Sequence, residues 1–125
     1  MSGLTLDTGA LIAFERGNPF VAAILQRAIA ANAAIALPTT VLAQAIRDPA
    51  KQVALTTLMR ASITTIVDLD RPAALAVGRM LAISGTSDIT DAHVALTATS
   101  RNHAIATSDP KDLAHLAPDT ELIKI

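Results

Sequence analysis

Leu4-Thr5-Leu6-Asp7-Thr8-Gly9-Ala10-Leu11-Ile12-Ala13 passes from a β-like run to a helical apolar pattern across a single acidic residue. The run Leu4-Thr5-Leu6 reads as a short strand ending at Asp7, and Thr8 to Arg16 as a helix closed by Gly17. The same grammar returns near the other end: Ala104 to Thr107 is a strand ending at Ser108-Asp109, and Lys111 to Leu116 is a short helix before a last strand, Leu122 to Ile125.

Between these stretches, Asn18-Pro19 is a cap and first-turn signal for a helix to about Ala31, and Ala34 to Leu37 is a strand stopped by Pro38. Thr39 or Thr40 is expected to cap a helix through Arg47, with a further helix from Asp48-Pro49 to Arg60. Ile63 to Leu69 is β-branched and apolar, the clearest strand in the chain. Asp70 caps a helix with Pro72 in its first turn, ending before Ser84-Gly85-Thr86, and Ser87 or Asp88 opens the next, to about Arg101. Strands separated by helices predict an α/β fold: a parallel sheet of about five short strands, helices on both faces, three layers in one domain over 1–125.

Composition narrows the function. Apolar residues make up 51% of the 125 residues but aromatics only 2%, so Ala, Leu, Ile and Val must build the core, and sites based on aromatic stacking are disfavoured. With no cysteine there are no disulfides, thiolate metal sites or Cys nucleophiles. Asp7 interrupts the only hydrophobic stretch near the amino terminus, which argues against a signal peptide, and no apolar run approaches the ~20 residues a spanning helix needs. A soluble, cytoplasmic protein without membrane contact is expected. The formal charge of -1 is not that of a protein that binds phosphate by basic residues alone. For a nucleic-acid substrate, a divalent cation would have to supply the balance.

Ligands in a parallel sheet bind at the carboxyl ends of the strands. Asp7 and Asp109 both end strands there, and Asp91 opens the helix that leads into the second of them. Three converging carboxylates suit a hard cation, Mg²⁺ or Mn²⁺. Zinc fits poorly, because His93, His103 and His115 lack ligand spacing. Asp88 shares a helix face with Asp91, and Asp112 with Asp109, so each either supplements the site or complements a helix amino terminus.

The stretches Leu6-Asp7-Thr8-Gly9-Ala10-Leu11-Ile12-Ala13, Ser87-Asp88-Ile89-Thr90-Asp91-Ala92-His93-Val94-Ala95 and Ala106-Thr107-Ser108-Asp109-Pro110-Lys111-Asp112-Leu113 resemble, in order, the acidic motifs of PIN-domain proteins, and more narrowly VapC-type toxins of type II toxin–antitoxin pairs. The resemblance spans essentially the whole chain. It implies a PIN-like fold and a Mg²⁺- or Mn²⁺-dependent endoribonuclease, homodimeric and silenced by a cognate antitoxin. Asp7, Asp91 and Asp109 are then the metal-binding acids and Asp88 an accessory. In one place the chain departs from the family: Gln44 stands where the family usually places a Glu, which removes a negative charge. At about 4 Å a unit-charge pair is worth roughly 4 kcal/mol at an effective dielectric of 20, so another carboxylate, Asp88 first and Asp48 second, must compensate.

On this reading Thr107 and Ser108 orient a water or a phosphate, or merely cap the next helix, and Arg47 and Lys51 grip the RNA backbone unless they are plain surface charges. The apolar stretch Val53, Ala54, Leu55, Leu58 and Met59 contacts an antitoxin or second protomer, or packs in the core. Two alternatives stand beside it. One is a catalytically impaired PIN-like module that binds RNA or protein, with Gln44 as its mark. The other is a phosphoacceptor receiver domain built on Asp68, Thr107 and Lys124, which lacks the acidic pair after the first strand and a helix after Lys124.

Overall fold

Every residue of β1 (Gly3–Leu6) is buried, as befits a strand covered on both faces. The structure is a computed structural model that describes residues 2–125. After β1 come α1 (Thr8–Glu15), α2 (Pro19–Ala30), β2 (Ala34–Pro38), α3 (Thr39–Ala45), α4 (Val53–Arg60) and β3 (Thr64–Val67). They are followed by α5 (Arg71–Ser84), α6 (Ile89–Arg101), β4 (Ala104–Thr107), α7 (Pro110–Leu116) and β5 (Leu122–Lys124).

The five strands form one parallel sheet in the order β3-β2-β1-β4-β5. The chain builds outward from β1 to β3 and then returns to lay β4 on the other side of β1. The topological switch point therefore lies between β1 and β4, where α/β sheets place their ligands. This order also rules out the receiver reading, because that architecture runs 2-1-3-4-5, and it leaves Asp68 just past the edge strand β3, away from the switch point. One group of helices, α2, α3 and α4, packs around α1, and a second, α5 and α7, packs around α6. The core is aliphatic as expected: Leu4, Leu6, Leu11, Ile35, Leu37, Leu55, Ile105 and Leu113 are all within 1% of full burial. Phe14 only packs against its margin, and Phe20 is exposed.

Several local expectations are corrected. Pro38 does not stop β2 but is its last residue, in register with Val67. Neither Thr39 nor Thr40 caps α3; Pro38, in extended backbone, precedes it without a side-chain cap. The two hydroxyls serve long-range bonds instead: Thr39 Oγ1 accepts from the Leu69 N–H (3.1 Å), and Thr40 Oγ1 pairs with His93 Nδ1 (2.9 Å), tying α3 to α6. The helix expected from Asp48 begins only at Val53. Gln52 holds the preceding loop, because its Oε1 accepts from the N–H groups of Arg47 and Asp48 (2.9 and 3.0 Å) while its Nε2 donates to Ala45 O and to Glu15. Core packing claims Leu55 and Leu58 of the apolar stretch, while Val53 is exposed. No helix among the described residues is long and apolar enough to cross a membrane.

Candidate metal centre

Asp7 leaves β1 as the next residue in the ladder, its N–H donating to Ala106 O of β4 (3.1 Å). Its Oδ1 accepts from the Ala10 N–H (2.8 Å), so it caps α1. Capping and a place in the site are thus not alternatives for this residue. One carboxylate oxygen fixes the start of the helix, and the group as a whole is 5% exposed at the switch point. Gly9, in the first turn, allows a close approach: a methyl there would collide with the Ser108 side chain in the loop after β4. Small size at position 9 lets α1 and that loop carry their acids to one place.

That loop is held by Thr107, which is fully buried and whose Oγ1 accepts from the Asp109 N–H (2.8 Å). Asp109 precedes α7 without capping it, and its side chain is exposed. Asp88 caps α6 by accepting the Asp91 N–H (2.9 Å), which fixes the backbone of Asp91 in the first turn.

One carboxylate oxygen from each of Asp91, Asp109 and Asp112 lies within 4.8 Å of the others, the spacing of groups that can share one cation. Asp112, whose favoured sequence reading is a complement to a helix amino terminus, is in this set; Asp7 and Asp88 are near it. Among the described residues the one ion pair is Lys51 with Asp48, at 4.0 Å and exposed, so none of these acids is paired with a cation, and only Asp112 feels a nearby positive charge, that of Lys111. Burial raises the Asp7 carboxyl above the ordinary carboxylate range, opposed by the Thr107 hydroxyl and by the backbone N–H groups of Ala10 and Ser108. Asp91 is pushed up to about 6, first by burial and then by the charges of Asp88, Asp109, Asp112 and Asp7. Asp112 is raised by its hydrogen bond and repulsion with Asp109. Carboxylates that raise one another's pKa in this way are arranged as functional sites arrange them, and an all-oxygen donor set suits Mg²⁺ or Mn²⁺.

Gln44 is exposed on α3, and its Oε1 accepts from Thr8 Oγ1 at 2.5 Å, one residue after Asp7. Arg47 turns back on its own helix end, with Nη1 donating to Ala43 O and Ile46 O (3.0 and 2.7 Å). The histidines go to separate places. His93 meets Thr40, His103 meets Thr5 (3.1 Å), and His115 Nε2 donates to Ser84 O (3.0 Å). Burial lowers the pKa of both His93 and His103. Sequence reading missed Gln52, 9% exposed, because nothing local marks a Gln that bonds across 37 residues to Glu15.

The family model described as PIN domain matches residues 4–117. Among solved structures the chain is similar to one in VapBC2 from Rickettsia felis bound to a DNA fragment from their promoter, with 19% identity, TM-score 0.73 and 98% of each chain covered. It is also similar to one in DNA-bound VapBC from Salmonella typhimurium, with 21% identity, TM-score 0.70 and 99% and 98% covered. A third is FitAcB from Neisseria gonorrhoeae, with 20% identity, TM-score 0.66 and 97% and 96% covered. A search of curated proteins finds no match.

Proposed function

The chain belongs to the PIN domain family, and from that premise we propose that it is a Mg²⁺- or Mn²⁺-dependent endoribonuclease, the VapC-type toxin of a toxin–antitoxin pair. The observation that carries this reading is the convergence of Asp91, Asp109 and Asp112 within 4.8 Å, beside buried Asp7, with no protein cation paired to them among the described residues. The similarity to VapBC and FitAcB chains supports a small antitoxin as partner. A homodimer acting in the cytoplasm is the assembly we propose.

In the proposed reaction Asp7, Asp91 and Asp109 hold the cation, with Asp112 and Asp88 adding negative charge at its edge. When bound, the cation supplies a water of lowered pKa and polarises the scissile phosphate. Thr107 keeps Asp109 in place through its N–H, and Ser108, against Gly9, holds the loop to α1. Gln44 offers a neutral amide oxygen at the rim. Its bond from Thr8 orders the α1 start rather than replacing the charge of a Glu. Arg47 and Lys51 would meet the RNA backbone only by leaving their present partners, the Ala43 and Ile46 carbonyls and Asp48.

The test is cleavage of a labelled single-stranded RNA with Mn²⁺, with EDTA and with Asp7→Asn, a substitution that keeps an acceptable helix cap. We expect cleavage only by the unaltered chain with metal, and a loss of about 10²- to 10³-fold in Asp7→Asn, the scale seen when a group stabilising transition-state charge is removed. Cleavage that survives both treatments overturns the metal-site reading. Metal binding without cleavage supports the impaired binding module instead.

A further inference from the structure

A cleft of about 420 Å³ extends from the acids, with Asp88, Asp91 and Asp112 in its lining, a volume within the ~300–1,000 Å³ of ligand pockets. Thr86, Ser87 and Asp88 of the α5–α6 loop form one wall, and Lys111, His115 and Leu116 of α7 form the other. The His115 to Ser84 carbonyl hydrogen bond (3.0 Å) ties the two walls together. Asp91 and Asp112 also line the cleft, so it opens directly onto the candidate metal centre.

We propose that this cleft binds the nucleotide adjoining the scissile phosphate of a single-stranded RNA, with Lys111 anchoring that nucleotide's phosphate; this rests on the nuclease reading above. The chemistry of the lining selects the occupant. Leu116 offers an apolar surface, the Thr86 and Ser87 hydroxyls offer hydrogen bonds, and Lys111 is the one Lys or Arg in the lining. Lys111 forms no ion pair within 4 Å among the described residues, unlike Lys51, which faces Asp48; its charge acts on Asp112 in the same lining, a carboxylate whose charge a bound divalent cation would neutralise. Arg47 is equally committed, to the carbonyls of Ala43 and Ile46. With the carboxylates occupied by a divalent cation, Lys111 is left to meet an anion, and the anion that must lie one nucleotide from the cut is a backbone phosphate.

The experiment compares the full chain with Lys111→Ala, Lys111→Arg and Arg27→Ala, the last on α2 outside this cleft. Cleavage of a short oligoribonucleotide in Mn²⁺ and its binding by anisotropy with Ca²⁺ are both followed from 50 to 200 mM KCl. One lost phosphate contact on a single strand removes about 0.7 from the slope of log affinity against log salt. We expect Lys111→Ala to lower that slope by this amount and to raise KM roughly 5- to 10-fold at unchanged kcat. Lys111→Arg should restore both and Arg27→Ala should change neither. An unchanged slope in Lys111→Ala, or an equal loss in Arg27→Ala, overturns the subsite while leaving the nuclease intact. Lys111-dependent binding in a chain that does not cleave keeps the subsite and removes the nuclease reading. No binding by the unaltered chain overturns the subsite.

Discussion

Two polar clusters sit at opposite ends of α1, Asp7 at its start and Glu15 with Gln52 at its end, and are built on opposite rules. Around Gln52, every polar atom of a buried side chain has a partner: two backbone N–H groups, a backbone carbonyl and the Glu15 carboxylate. At the switch point, buried Asp7 and half-buried Asp91 face further carboxylates with no cation to offset them. The first arrangement can only stabilise, since a satisfied network rigidifies the backbone around it. The second can only cost stability until something positive arrives, and natural chains tolerate such costs where function requires them.

Substitution should separate the two clusters most sharply. Gln52→Ala leaves the part-buried N–H groups of Arg47 and Asp48 without their side-chain acceptor and should destabilise the fold by about 1–3 kcal/mol, read as a lower denaturation midpoint in urea. Metal affinity of the folded fraction should not change. Asp7→Asn should instead leave metal-free stability equal or higher, because it removes a buried charge and retains the cap. Equal destabilisation by both would erase the contrast.

A second consequence concerns pH. The Asp91 carboxyl, at about 6 in the folded chain against 3.8 for an unperturbed Asp, binds its proton more tightly when folded. Its contribution to stability is therefore full below about pH 4 and is lost as pH rises through about 6. Without metal, Tm should fall between pH 4 and pH 7. Saturating Mn²⁺ at 100-fold its Kd is worth about 2.7 kcal/mol, so it should raise Tm by several degrees at pH 7 and by much less at pH 4.5, where protons compete. A metal-free Tm that rises steadily over this range would contradict the charge conflict at the site.

The smallest effect belongs to Gln44. It is exposed, so a charge there is partly screened. Gln44→Glu should tighten Mn²⁺ binding by roughly 3- to 10-fold in calorimetry and lower metal-free stability slightly. No gain would mean that position 44 acts only through its hydrogen bond with Thr8.

The fold was largely legible because its signals are local. Asp7, Asn18, Asp70 and Asp88 all cap helices, and Gly85, at φ +71, ends α5 in the left-handed conformation. What misled were residues whose partners are distant in sequence. Thr39 and Thr40 look like caps, yet their hydroxyls bond residues 30 and 53 positions away. Ile63 to Leu69 is the clearest strand in the sequence, and it forms β3 over Thr64–Val67, but that β3 is a partly exposed edge does not show in its own composition. At the candidate site, Asp7, Asp91 and Asp109 were candidates from strand ends and motif resemblance, and Asp112 was an open alternative that the geometry of α7 brings within 4.8 Å of Asp91 and Asp109. Lys111 had no signal at all, because a surface lysine gains meaning only from the wall opposite it.

The central claim, that these carboxylates form a divalent-cation site, is tested most directly by calorimetric titration of Mn²⁺ into the unaltered chain and into Asp109→Asn at pH 6. The account predicts saturable binding with proton release to the buffer by the unaltered chain, and affinity at least about 10-fold weaker with less proton release in the variant. Indistinguishable titrations of the two, or no binding by either, would contradict it.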